Sequence, residues 1–188
     1  MESIFAKALK KIVSILEAEG INYMIVGGFA VSYHNRARTT NDIDLILQIY
    51  PQHIKLILKH FPEWQGFEQS FMESVKRGML FNITDFETGI RYDFMSYQDS
   101  DYNWTAFERR EAVNFFDTTC YICSKEDLII SKLKWYNITP SDKQLEDLKF
   151  LLLDNELDMN YIKVWVKKLN LKAYGLLEEK DKCKQGSR

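Results

Sequence analysis

The chain is short of the residues that break or staple a fold: three prolines, eight glycines and three cysteines among 188 residues. So little proline and glycine excludes collagen-like and low-complexity architectures. No run of about 18 apolar residues occurs, which excludes an ordinary transmembrane helix. The formal net charge of −2 is too small to make the whole chain a generic polyanion binder. The opening residues carry an early acid, Glu2, and lysines from Lys7 onward instead of a signal-peptide pattern, so a cytoplasmic chain is expected. Its odd set of thiols (Cys120, Cys123 and Cys183) is then expected to be reduced. Cys120 and Cys123 have C-x-x-C spacing but lie in an apolar run that reads as a strand, where i and i+3 face opposite ways. A zinc site would also need a second ligand pair, and the sequence has none.

What is present is ordinary globular material, 46% hydrophobic and 28% charged. A chain of this size can bury about 70% of its unfolded surface, so it needs no metal or disulfide to fold. Charge is unevenly spread. From Lys163 onward, eight basic residues face three acids, a net of +5, and the preceding 162 residues carry −7. That tail is either a solvated helical face or a surface for a phosphate backbone.

Ile4, Phe5, Ala8, Leu9, Ile12, Val13 and Leu16 recur at helical spacing before Gly20, which supplies a stop. Asn22 to Val26 reads as a buried strand, Gly27-Gly28 as a turn, and Phe29 to Tyr33 as a helix. Asp42 to Leu47 reads as a second strand, and Pro51 opens a helix to about Phe61. Met79 to Thr84 and Ile90 to Met95 form a hairpin, and Val113 to Phe116 with Thr119 to Cys123 a shorter pair. Ser124 and Asp127 make a capping-box-like start to a helix reaching about Tyr136. Two more helices follow, one after Pro140-Ser141 to about Leu153 and one capped by Asp158 to Leu169. The pattern predicts an α+β fold: a small mixed or antiparallel sheet with flanking helices (residues 1–123) and a helical C-terminal region (124–188).

Asp42 and Asp44 stand at i and i+2 of a strand, so both carboxylates project from one face while Ile43, Leu45 and Leu47 face a core. Adjacent carboxylates repel, and a divalent cation such as Mg²⁺ removes that cost. The alternative is a pair of solvated acids on an edge strand. Asp93 interrupts an otherwise apolar strand, where an acid needs a reason. It either completes a triad of oxygen ligands or is a structural acid paired with Arg91 or Lys76. Gly27-Gly28 lets backbone approach a ligand closely and offers a helix N-terminus to phosphate. His34, His53 and His60 do not cluster with acids and are read as surface residues. Trp104, Trp135, Tyr136 and Trp165 are read as core or interface aromatics.

Taken in order, Gly27-Gly28-Phe29-Ala30, Arg38-Thr-Thr40-Asn-Asp42-Ile-Asp44 and Asp93 resemble the nucleotidyltransferase superfamily with the polymerase β-like fold. The form is most similar to the abortive-infection toxin-type members, and the likeness covers about residues 20–153. It implies that Gly27 and Gly28 line a triphosphate, that Asp42, Asp44 and Asp93 hold two Mg²⁺ (or Mn²⁺) ions, and that Asp93 is the base. Arg38 and Thr40 would steady the loop and the phosphates, Lys132 (or its neighbour Lys134) would meet them, and Asp147 would end a later basic-acidic motif. Two departures stand out: Gly28 replaces a usual Ser, and Ser141 and Gln144 replace an Arg and an Asp of the later motif. The implied activity is nucleotidyl transfer from a nucleoside triphosphate to an acceptor, with pyrophosphate released. The acceptor would be tRNA, other RNA or protein in a toxin-like enzyme, with a possible antitoxin partner and no membrane. The alternatives are a small-molecule enzyme modifying an antibiotic, such as an aminoglycoside or lincosamide, and a degenerate domain that binds a nucleotide or partner without turnover.

Overall fold

A computed structural model describes residues 3–34 and 40–178. Helix α1 (Ile4–Ala18) is capped by the Ser3 side chain and ends before Gly20. Gly20 has φ +65, a conformation that costs glycine nothing. Then come β1 (Tyr23–Val26), α2 (Gly27–His34) and β2 (Asp42–Leu47). The helix expected after Pro51 splits into a 3₁₀ turn (Pro51–His53) and α3 (Ile54–Leu58), followed by a second 3₁₀ segment (Pro62–Phe67). Two short helices escaped the sequence reading, α4 (Glu68–Lys76) and α5 (Asp101–Glu108). Between and after them lie β3 (Phe81–Thr84), β4 (Arg91–Ser96), β5 (Glu111–Phe115) and β6 (Thr118–Ile122). The C-terminal helices are α6 (Lys125–Ile138), α7 (Asp142–Leu151) and α8 (Met159–Lys168). Their caps are Ser124, Ser141 and Asp158, each side chain accepting a backbone N–H three residues on.

The six strands form one mixed sheet in the order β3-β4-β2-β1-β6-β5, so the α+β reading holds. The β2–β4 and β1–β6 pairs are parallel, and the other three are antiparallel. Strand β2 is therefore central, which removes the edge-strand alternative for Asp42 and Asp44. Its alternation is clean: Ile43, Leu45 and Leu47 are fully buried while Asp42, Asp44 and Ile46 are partly exposed. The apolar face continues across β4 through Tyr92 and Phe94 and is covered by α1. Tyr92 Oη donates to the Ala8 carbonyl at 3.0 Å, tying strand to helix. Phe61, Phe71 and Phe81 extend this layer as ring contacts, the pairs lying 5.1–5.8 Å apart from Phe61–Tyr92 to Phe81–Phe94. The opposite face, bearing the acids, is approached by α2 and α6.

Trp165 is buried in the core, whereas Trp104 and Trp135 are about half exposed, because α5 and α6 turn them outward. His34 is partly buried at the end of α2, where Nε2 lies 2.6 Å from the Cys123 carbonyl and donates to it. Burial lowers its pKa. Burial also pushes the Cys120 thiol up to about 11 and that of Cys123 higher still.

The helical half is held by a buried acid. Asp127 is 2% exposed, yet it is satisfied on every side. It accepts from Tyr161 Oη at 2.7 Å, Ser124 Oγ at 2.6 Å and Arg109 Nε at 3.2 Å. The Arg109 guanidinium also stacks 4.1 Å from the Tyr161 ring centroid. One carboxylate thus joins α6 and α8 to the residue that ends α5. Replacing it strands several buried partners, so Asp127→Ala should cost about 3 kcal/mol in urea unfolding. A loss below about 1 kcal/mol would show that the network is dispensable.

Candidate active site

The parallel pairing of β2 with β4 sets Asp44 directly opposite Asp93, and Asp42 opposite Arg91. Neighbouring strands run about 4.8 Å apart, so the two facing carboxylates start from one small area. All four side chains share a face because i and i+2 positions do. Asp93 is buried at 7% exposure, and Asp44 and Asp42 are intermediate.

Asp44 is the most perturbed. Burial first, and then the charges of Asp42 and Asp93, push its carboxyl up to about 6, against a hydrogen bond from Gly28 and the more distant Lys132. The sign follows: its ionised form is disfavoured in the fold, so stability falls as pH rises from about 4 toward 6. Gly28 N donates to Asp44 Oδ2 at 3.3 Å. Gly27, at φ +65, passes so close that an added Cβ would sit 1.9 Å from the same oxygen. Glycine at position 27 is thus favoured by contact with Asp44 as well as by the turn.

Asp42 is held on both sides. Thr40 Oγ1 donates to its Oδ1 at 2.6 Å, and Arg91 Nη2 to its Oδ2 at 3.0 Å. Arg91 also grips Asp93 with two bonds, Nε to Oδ1 at 2.7 Å and Nη2 to Oδ2 at 2.8 Å. Lys132 of α6 is paired with Asp147 of α7 at 2.9 Å, both side chains largely buried. As they stand, no three His, Cys, Asp or Glu side chains among the described residues are gathered closely enough to hold a metal ion.

The structure therefore brings Gly27, Gly28, Thr40, Asp42, Asp44 and Asp93 together. Lys132 and Asp147 form a pair nearby, with Lys132 within electrostatic reach of Asp44. Arg38 lies outside the described residues. The sequence reading missed the bridging role of Arg91, naming it only as one possible partner of Asp93. It also missed that Lys132 and Asp147 belong to one ion pair.

A glycine turn thus closes over Asp44, with Asp42 two residues before it and Asp93 facing it on a parallel strand of a mixed sheet. Residues 3–185 match the family described as "Nucleotidyltransferase of unknown function (DUF6036)", and the chain belongs to that family. Among solved structures it is similar to an antigenic nucleotidyltransferase-like protein from Paracoccidioides brasiliensis. There the identity is 15% and the TM-score 0.53, over 92% of this chain and 91% of that one. It is also similar to the antibiotic-resistance factor ANT(2″)-Ia in solution, at 16% identity and TM-score 0.54, over 95% and 97% of the two chains. At such identities the likeness is one of fold. Among curated proteins, none matches the chain in sequence.

Gly27→Ala should displace Asp44 and force a side chain into positive φ, at a cost of about 1–2 kcal/mol. Calorimetry would register the lower melting temperature; an unchanged one would mean that the Gly27–Asp44 contact relaxes freely.

Proposed function

We propose that the chain is a divalent-metal-dependent nucleotidyltransferase that moves a nucleoside monophosphate from a nucleoside triphosphate to an acceptor, releasing pyrophosphate. The observation that carries this reading is the register of Asp44 against Asp93, with Asp42 beside them and Gly27-Gly28 closed over Asp44. The donor set is all carboxylate oxygen, the chemistry that Mg²⁺ and Mn²⁺ prefer. A guanidinium already stands as a cation between two of the acids. Asp42, Asp44 and Asp93 would hold the metal ions. When bound, these ions would supply charge neutralisation at the phosphates and activation of the attacking hydroxyl.

The remaining work falls to the chain's own groups. The start of α2 lies against Asp44, to which Gly28 N donates, so a phosphate held by the acids' metal ions would lie near that helix N-terminus. Thr40 fixes the orientation of Asp42. Asp147 holds the Lys132 ammonium in one place, so a triphosphate would meet a charge already oriented. Asp93 is the carboxylate assigned to take the acceptor's proton.

For the acceptor, RNA is the first reading, with the toxin-like chemistry and the neutralising partner protein that it carries. Helix α8 buries Ile162, Trp165 and Val166 and turns Lys163, Lys167 and Lys168 outward. Positions 163 and 167 are one turn apart, so their ammonium groups lie together. A compact cationic acceptor is the second reading. A cleft of about 480 Å³ at the far end of α2 is lined by Glu111, Glu126, Asp154 and Glu156, with His34 and Lys125.

With α-labelled nucleoside triphosphate and Mg²⁺, Asp42→Ala and Asp44→Asn should each lower transfer by about a hundredfold or more. Both variants should stay folded, and Asp44→Asn should melt at or above the wild type because a repelling charge is gone. Unfolding of both without metal would mark the acids as structural. The acceptor is tested separately. Charge reversal at Lys163 and Lys167 should weaken RNA binding and flatten its salt dependence by about one counterion per lost contact. Full RNA modification by that double variant would favour the compact acceptor.

A further inference from the structure

We propose that Arg91 is a built-in counter-ion of the acid site: in the metal-free protein its guanidinium occupies the carboxylate oxygens that a divalent cation needs, and it must be displaced before metal binds. This rests on the metal-dependent reading above. Arg91 faces Asp42 across the β2–β4 pair and stands two residues before Asp93, so strand geometry alone delivers it to the acid face. It takes both oxygens of Asp93, at 2.7 and 2.8 Å, and one of Asp42 at 3.0 Å. The other oxygen of Asp42 is held by Thr40.

The arrangement differs from an ordinary structural ion pair in where the burial lies. The Asp93 side chain is 11% exposed and that of Arg91 47%. A carboxylate so deep cannot stand ionised without a partner, and the partner comes from the solvent side. Arg91, already half in water, can turn away from the acids into solvent without leaving a buried space behind it. Without metal and without Arg91, Asp42, Asp44 and Asp93 would repel one another with no charge between Asp42 and Asp93 among the described residues. Lys132 of α6 is paired with Asp147. Guanidinium and divalent cation therefore compete for the same oxygens, and the strong bidentate grip on Asp93 sets the strength of that competition.

The test is a titration of Mn²⁺ alone into metal-free protein, with bound metal read from the electron paramagnetic resonance of free Mn²⁺. Wild type is compared with Arg91→Gln and Arg91→Lys, and folding is checked by circular dichroism. Arg91→Gln should bind Mn²⁺ about tenfold tighter than wild type, since a bidentate charged contact no longer competes. Its metal-free melting temperature should fall and should recover on adding Mn²⁺. Arg91→Lys keeps a charge but loses the fork, so its affinity should lie between the two. Equal or weaker Mn²⁺ binding by Arg91→Gln would overturn the proposal and leave Arg91 a structural partner, with the metal site intact. No Mn²⁺ binding by any of the three proteins would remove the metal-dependent reading itself, and the proposal with it. Should Arg91→Gln fail to fold, Arg91→Lys decides: tighter binding than wild type supports the competition, and equal or weaker binding refutes it.

Discussion

The parallel pairing of β2 with β4 is the constraint on which the site depends. It joins two segments nearly fifty residues apart and fixes their register, Asp42 against Arg91 and Asp44 against Asp93. A slip of β4 by one residue would turn Asp93 into the aromatic layer and bring Tyr92 and Phe94 out. That layer, sealed by α1 and by the Tyr92 hydroxyl bonded to the Ala8 carbonyl, resists such a slip. The apolar face of the sheet thus determines the geometry of the polar one. The hydrophobic core accounts for stability, and the register it enforces gathers three like charges that the fold must then manage.

Their management falls to a few neighbours. Asp44 takes an amide from Gly28 and sits so close to Gly27 that no other residue fits there without movement. Asp42 takes the Thr40 hydroxyl, and Arg91 spans Asp42 and Asp93. The carboxyl of Asp44 is raised first by its burial and then by the charges of Asp42 and Asp93. Asp127, in contrast, is more deeply buried but accepts from three side chains, and serves to join helices. The difference lies in partners: Asp127 has its own cation and hydroxyls, whereas the strand acids share one arginine.

Much of this was legible in the sequence, because its signals are local. The caps Ser124, Ser141 and Asp158, the alternation from Asp42 to Leu47 and the stop at Gly20 each act within a few residues. Helices α4 and α5 were missed because both are short, and neither Phe71 with Val75 nor Tyr102 with Phe107 makes a long apolar stripe. Non-local facts were out of reach. The β3–β4 hairpin could be read, but that β4 lies beside β2, and parallel to it, could not. The role of Arg91 depends wholly on that neighbour, so it surfaced only as one possible partner of Asp93. Lys132 and Asp147 stand on different helices, and nothing in their spacing announces that they meet.

The account stands or falls on where a nucleotide and its metal sit. The most direct measurement is a crystal structure of the wild-type chain with Mn²⁺ and a non-hydrolysable nucleoside triphosphate analogue, with the metal located by anomalous scattering. The account predicts anomalous density between Asp42, Asp44 and Asp93, the triphosphate along Gly27-Gly28 toward Lys132, and Arg91 released from Asp93. Metal and nucleotide bound elsewhere, with Arg91 still clasping both acids, would contradict it.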